Sequence, residues 1–165
     1  NMTDRFNALS ALVQSGHALA NEALAIFYKM FASEALVIDK WFALQAGASD
    51  RGGHILPIVR QLLLHPDFSI KNPNRARSLI FSYCSANPGA FHRLDAAGYV
   101  FWSDRVLEMD ALNPQVAARL ARALDRWSHL AEPYRSAAKV AIERVAAKPD
   151  LSNDVREVVS RALSQ

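Results

Sequence analysis

The sequence has very little cysteine. Cys84 is the only cysteine among 165 residues, which excludes an internal disulfide and leaves no second thiol for a cysteine-based metal site. Because Cys84 lies in the apolar stretch 79–84, we interpret it as a small buried hydrophobic residue and not as a nucleophile. Sparing use of cysteine fits a protein of the cytoplasm, which is the location we expect.

Long hydrophobic runs are also missing. No apolar stretch approaches the roughly 20 residues that cross a bilayer, so we expect no membrane partner. Residues 1–5 lack the basic-then-apolar pattern of a signal sequence. Because Asn1 precedes Met2, we expect the chain to have been cut from a longer polypeptide. About half of the residues (51%) are apolar and 21% are charged, a balance typical of a globular domain with a sizeable core.

The sequence motifs of catalysis and nucleotide binding are absent as well. There is no Gly-rich phosphate loop, no His-Glu-x-x-His zinc signature and no nucleophile elbow. None of the five histidines stands four residues from another, so no helix presents a ready-made pair of metal ligands. Asp104 and Glu108 would share a helix face, but the neighbouring Arg105 indicates a solvated, charged surface and not an acid–base pair. We therefore expect no catalytic residue, metal or cofactor in this chain.

What the sequence does contain is helical periodicity from end to end. Apolar residues recur at three- and four-residue steps, and no segment is a convincing strand. The longer predicted helices cover residues 6–13, 19–30, 36–47, 55–63, 73–85, 96–110, 113–127, 133–147 and 152–163. Short connections make successive helices antiparallel neighbours. We predict one all-α domain over residues 1–165, a superhelical stack of about eight helices in antiparallel hairpins, as in HEAT or armadillo α-solenoids. An irregular helical bundle is the alternative, because no strict repeat is visible.

The dipeptide Asn-Pro marks three predicted helix starts, at Asn72, Asn87 and Asn113. The asparagine side chain can accept a hydrogen bond from a first-turn amide that has no partner within the helix. Proline then occupies the first helical position, where its missing N–H costs nothing. Asn87 is expected to open only a short turn that ends near His92.

The helix after Asn113 divides most clearly into two faces. The apolar face consists of Val116, Leu120, Leu124 and Trp127. The polar face consists of Gln115, Arg119, Arg122 and Arg126. Gln115 and Arg119 stand four residues apart and would project from one patch. The arginine could bind a carboxylate in bidentate fashion, while the glutamine offers both a donor and an acceptor. The same spacing also occurs on ordinary polar helix surfaces, so both interpretations remain open at this point.

An ordered set of short segments resembles the C-terminal helical-repeat domain of bacterial aminopeptidase N, a zinc-dependent gluzincin also known as alanyl aminopeptidase. The segments are residues 39–42 with Gln45, 72–79, 85–88 with 91–92, 98–99 and 113–120. The resemblance spans most of the chain and weakens after about residue 130. In one respect the chain departs from the family: a glycine is expected soon after the aspartate, where this chain has Asp95, Ala96 and Ala97.

The resemblance implies a specific role. The family's zinc ligands and catalytic glutamate lie in an earlier, thermolysin-like domain that this chain does not contain. Its C-terminal domain is a non-catalytic helical cap, which encloses the active-site cavity and controls peptide access while N-terminal residues are released. The implied partners are the catalytic and other domains of the same polypeptide and the peptide substrate, in the bacterial cytoplasm. Carried over by position, Gln115 and Arg119 would line the substrate channel.

Two other functions compete with this interpretation. A free-standing helical-repeat scaffold would bind another protein along a concave face. A nucleic-acid binder would use Arg119, Arg122 and Arg126. The net charge is only +3, and acids and bases are mixed along most of the chain, so we expect no nucleic acid partner.

Overall fold

The computed structural model describes residues 1–165, and every regular element in it is a helix. The helices are α1 (Met2–Ser15), α2 (Ala20–Phe31), α3 (Ala35–Ala46), α4 (Ile55–Leu63), α5 (Pro73–Ala76), α6 (Ser82–Cys84), α7 (Pro88–Phe91), α8 (Ala97–Asp110), α9 (Pro114–Ala121), α10 (Tyr134–Ala146) and α11 (Asn153–Leu163). A π-helical turn, Arg77–Phe81, joins α5 to α6, so these elements form one continuous helix. The predicted all-α class is confirmed, with ten helices where about eight were expected. None of them combines the length and the hydropathy that crossing a membrane requires.

The contacts divide the chain into two compact units, residues 1–87 and 88–165. The first unit contains α1 to α6, and the second contains α7 to α11. In the first unit α3 packs against α2, α4 and the π-helical turn, while in the second α8 packs against both α9 and α10. Each unit has its own buried apolar core.

The first unit is organised around a buried arginine. Arg75 is only 7% exposed, and its Nε donates to Asp39 Oδ1 of α3 at 2.6 Å. The same guanidinium donates to the carbonyl of Asp67 and lies 5.2 Å from the ring centre of Phe42. One side chain therefore ties α3 to the segment that precedes α5. A buried ion pair of this kind is weak evidence for net stability, but its disruption leaves a buried charge without a partner.

Asn87 uses its side chain as a hydrogen-bond donor, and not as the cap acceptor that the sequence predicted. Its side-chain amide donates to the carbonyls of Ala46 at 2.9 Å and Ala48 at 2.8 Å, at the end of α3. The side chains of Asn72 and Asn113 each accept a hydrogen bond from the backbone N–H of the residue three positions later, as the sequence predicted.

In the second unit two indole N–H groups bind helix-end carbonyls. Trp102 of α8 donates to the carbonyl of Leu120 in α9, and Trp127 donates to that of Ala162 in α11, each at 2.9 Å. Trp102 and Leu120 are fully buried. Because both donor and acceptor are shielded from water, these bonds fix α9 and α11 in position along their neighbours.

The helix predicted over 113–127 is not a continuous α-helix. It tightens after Ala121 into a 3-10 turn, Arg122–Leu124, and a second 3-10 turn follows at Trp127–His129. The predicted apolar face is nevertheless buried in full. Leu124 ends the first 3-10 turn and Trp127 begins the second, and both remain in the core.

The departure from the family pattern at Ala96 has a structural consequence. Ala96 immediately precedes α8 with φ of 64°, the left-handed region that favours glycine. Asp95 Oδ1 accepts the N–H of Ala97 at 3.0 Å and closes this turn. The chain therefore keeps a glycine-type turn with an alanine in it.

Replacing Ala96 by glycine should stabilise the second unit. We expect Ala96→Gly to raise the free energy of unfolding by about 0.5–1 kcal/mol, because relief of the left-handed strain exceeds the added entropy of the unfolded chain. Urea denaturation followed by circular dichroism measures the change. The matched control, Ala97→Gly inside the first turn of α8, should lower stability by a similar amount. A loss of stability with Ala96→Gly would contradict the strained turn.

Two ion pairs of equal length should differ sharply in their effect on stability. Arg75–Asp39 and Arg144–Asp104 both have N–O distances of 2.6 Å, but Arg144 is 51% exposed and Arg75 is buried. We expect Arg75→Met to cost about 3 kcal/mol, because the largely buried Asp39 is left unpaired. Arg144→Met should cost less than about 1 kcal/mol. Equal losses in urea denaturation would show that Arg75 is not the organising group of the first unit.

Candidate functional site

The exposed face of α9 forms one wall of an open polar cleft in the second unit. The cleft has a volume of about 600 Å³. It is lined by Gln115, Ala118, Arg119 and Arg122 on one side, and by Asp154, Glu157, Val158 and Arg161 of α11 on the other. The two predicted site residues therefore lie together in a cleft large enough for a small ligand.

Local sequence sets the direction of the α9 wall. Asn113 Oδ1 accepts the N–H of Val116 at 3.3 Å, and Pro114 occupies the first helical position. Gln115 then falls in the first turn and Arg119 one turn later. The opposite face is buried through Val116, Ala117, Leu120 and Ala121. Because that apolar face is held in the core, Gln115 and Arg119 must face outward, and both are exposed.

The α11 wall is anchored at its start by Asp110 of α8. The backbone N–H of Ser152 donates to Asp110 Oδ2 at 2.8 Å, and its hydroxyl donates to the other carboxylate oxygen. Ser152 in turn caps α11 by accepting the N–H of Val155 at 3.2 Å. The apolar stripe of α11, containing Val155 and Val159, is buried, so its polar residues face the cleft and solvent.

The charge of the cleft is predominantly positive. Three arginines line it against two carboxylates. Glu157 pairs with Arg161 at 3.0 Å, and this pair is too exposed to be strong. Gln115 and Arg119 make no hydrogen bond or ion pair with the rest of the chain, so their polar groups are available to a ligand. A guanidinium in this setting can bind a carboxylate or a peptide carbonyl.

Asp125, next to the cleft residues in sequence, responds to their charge. Burial raises the pKa of its carboxyl, while the positive charges of Arg122 and Arg161 act in the opposite direction. Because the net direction is upward, Asp125 takes up a proton at a higher pH than an exposed aspartate.

The other residues singled out in the sequence lie partly inside and partly outside this cleft. Arg122 joins Gln115 and Arg119 in the cleft, but Arg126 does not line it. Asp104 pairs with Arg144 at 2.6 Å and Glu108 pairs with Arg105 at 3.2 Å, so the two carboxylates do not act on a shared proton. The α11 residues of the cleft were not singled out from the sequence. Their only signal was the polar face opposite the Val155–Val159 stripe, which does not identify a neighbouring helix.

Two histidines pack within the units, His92 in the second and His65 in the first. His92 Nδ1 lies 2.6 Å from the hydroxyl of Tyr99, and burial lowers the pKa of His92 and raises that of Tyr99 to about 12. His65 packs against the rings of Tyr28 and Trp41. No three His, Cys, Asp or Glu side chains come together in a way that could hold a metal ion.

The chain is similar to one family of helical-repeat domains and to part of several aminopeptidases. The family model described as a domain of unknown function (DUF3458_C) with ARM repeats matches residues 1–164. Aminopeptidase N of Caulobacter vibrioides is 39% identical over 163 residues, which are 99% of this chain and 19% of that protein. The Escherichia coli aminopeptidase N is 36% identical over 164 residues, again 99% of this chain and 19% of that protein.

A solved structure agrees with the sequence relatives. The Legionella pneumophila aminopeptidase A, crystallised in complex with aspartic acid, superimposes with a TM-score of 0.91 and 27% sequence identity. The match covers 99% of this chain and 19% of the Legionella chain. This chain thus spans about a fifth of the length of its relatives, where it matches their C-terminal region. The predicted resemblance and the helical-repeat fold are confirmed, and the chain belongs to the DUF3458_C family of ARM-repeat domains.

Proposed function

We propose that this chain is the non-catalytic C-terminal cap of a zinc-dependent aminopeptidase. The observation that carries the proposal is the 39% identity to an aminopeptidase N, which extends over 99% of this chain but only 19% of that protein. Such coverage supports a chain that is one part of a larger enzyme. Its partners would be the catalytic and other domains of the same polypeptide, in the bacterial cytoplasm.

The cap would act by enclosing the active-site cavity and selecting what enters it. Enclosure excludes water and admits peptides in preference to folded proteins. In such an enzyme a bound zinc ion would supply Lewis acidity. The residues of this chain do not fit that metal, because no three-ligand cluster exists among them. We place the zinc and the catalytic glutamate elsewhere in the polypeptide, and we assign no catalytic residue to this chain.

Gln115 and Arg119 would contribute to the substrate channel. Both are exposed, both line the cleft between α9 and α11, and neither is engaged within the chain. Gln115 can pair with a peptide amide through one donor and one acceptor. Arg119 can bind a backbone carbonyl or a terminal carboxylate of the peptide. These groups position a substrate, and they take no part in bond cleavage.

A free-standing protein-binding scaffold is the second candidate function. One helix face favours it: Leu19, which precedes α2, and Ile26 and Met30 within α2 are about half exposed at spacings of seven and four residues. Such a stripe suits a protein partner. The same stripe would also suit a neighbouring domain of the parent enzyme. The two functions are therefore distinguished by whether the chain affects a peptidase, which a free-standing scaffold would not do.

Substitution of Arg119 in the full-length parent enzyme tests the channel role. We expect Arg119→Ala to lower kcat/KM for tripeptides about tenfold, because a charge-assisted hydrogen bond contributes about 1.5–3 kcal/mol. Hydrolysis of a single-residue chromogenic amide should change much less, since so short a substrate does not extend to a distant wall.

Arg126→Ala is the matched control, because Arg126 is exposed on the same segment but does not line the cleft. It should leave both substrates unaffected. Equal losses for the tripeptide and the chromogenic amide, or an equal loss with Arg126→Ala, would rule out a channel role for Arg119.

A further inference from the structure

The first unit contains a second cleft, which is larger than the one between α9 and α11 and shares no residue with it. It has a volume of about 820 Å³ and is lined from α1, α2, α3 and α4 and the segments around them. This volume lies within the range of sites that hold small molecules and short peptides. Its lining combines apolar side chains with amide, imidazole and guanidinium groups.

Apolar side chains form much of the lining. They include Val13 of α1, Leu24 of α2, and Ile55, Ile58 and Leu62 of α4. Leu24, Ile55 and Leu62 are buried, so they belong to the core of the unit and offer a fixed surface. An apolar side chain of a ligand would be shielded from water here.

Three side-chain amides stand beside this apolar surface, those of Asn21, Gln45 and Gln61. An amide side chain has the same donor and acceptor groups as a peptide bond and can pair with one. Gln45 is only 8% exposed and is held by a bond from its Nε2 to the carbonyl of Trp41 at 3.1 Å. Its Oε1 has no partner within the chain and remains available as an acceptor.

Arg51 supplies a cation that no carboxylate of the chain neutralises. Its guanidinium donates to the carbonyl of Gln14 at 2.6 Å and forms no salt bridge. The group also packs closely on Gly16, where an added Cβ would lie 2.9 Å from a guanidinium nitrogen. Gly16 ends α1 at φ of +67°, so the absence of a side chain there serves both the turn and the arginine. Arg51 is therefore held in place while part of it stays exposed.

The histidines of this cleft add donors. Nδ1 of His17 accepts the N–H of Leu19, and Nδ1 of His65 accepts that of Asp67, each at 3.0 Å. The neutral ring must then carry its proton on Nε2, which is a donor. No aspartate or glutamate lines the cleft. The nearby Asp50 is already engaged, because it accepts the N–H of Ile55 at 3.0 Å.

We propose that this cleft binds the carboxyl-terminal residue of a short peptide that ends in an apolar side chain. Arg51 takes the terminal carboxylate, the amides of Gln45 and Gln61 pair with the adjoining peptide bond, and the apolar lining takes the side chain. This is a binding site without chemistry. It goes beyond the proposed cap function, because it lies in the first unit and uses none of the residues assigned to the channel.

Calorimetric titration of this chain with Ala-Ala-Leu tests the proposal directly. A dissociation constant on the order of 0.1 mM is expected for a ligand of this size. Ala-Ala-Leu-amide, which lacks the carboxylate, should bind at least tenfold more weakly, and so should Ala-Ala-Asp, which lacks the apolar end. The titration involves no peptidase. Peptide binding can therefore be detected even if the chain has no effect on an aminopeptidase.

Variants locate the site. Arg51→Gln should weaken Ala-Ala-Leu binding at least tenfold, whereas Arg60→Gln should not, because Arg60 is exposed on α4 but does not line the cleft. Circular dichroism checks that Arg51→Gln is folded. If it is not, Gln61→Ala changes an exposed side chain of the cleft and should weaken binding several-fold. Absence of binding at 10 mM peptide (about a hundredfold above the expected constant), equal affinity for the peptide and its amide, or equal effects of the Arg51 and Arg60 variants would overturn the proposal.

Discussion

The hydrogen bond from the indole of Trp102 to the carbonyl of Leu120 is the interaction on which the candidate channel site depends. Both residues are fully buried, so the bond has no competition from water and fixes how α9 lies on α8. Because the apolar face of α9 is buried in the core, Gln115 and Arg119 on its opposite face point outward. The polarity of the cleft therefore follows from the packing of apolar residues on the opposite side of α9.

Each of the two units uses a charged side chain to position its helices, a buried one in the first unit and a partly buried one in the second. In the first unit the Arg75 guanidinium gathers Asp39 and the carbonyl of Asp67. In the second, Asp110 binds Ser152 and thereby sets where α11 begins. Each group fixes the relative position of elements that apolar packing alone would allow to slide. Precise placement is what a binding wall needs, because hydrogen-bonding partners must be held to within fractions of an ångström.

Helical periodicity predicted the class of the fold and the outward face of α9, and capping chemistry predicted the helix starts at the Asn-Pro dipeptides, because these features are local. The polar wall that α11 contributes to the cleft was not predicted, since no local pattern says which helices become neighbours. The burial of Arg75 was missed for a related reason: arginine is almost never buried without a partner, and Asp39 lies 36 residues away. The left-handed Ala96 was visible only as a departure from a family pattern, and its backbone geometry required the structure.

The proposed cap function is tested most directly by the aminopeptidase rate of the rest of the proposed parent enzyme, measured with and without this chain added, and with the chain alone as the blank. If the chain is a functional cap, its addition should raise the rate or change the preference for peptide length, while the blank stays inactive. No effect with two folded pieces would contradict the cap and favour a scaffold or a purely structural role. Activity of the chain alone would contradict its non-catalytic assignment.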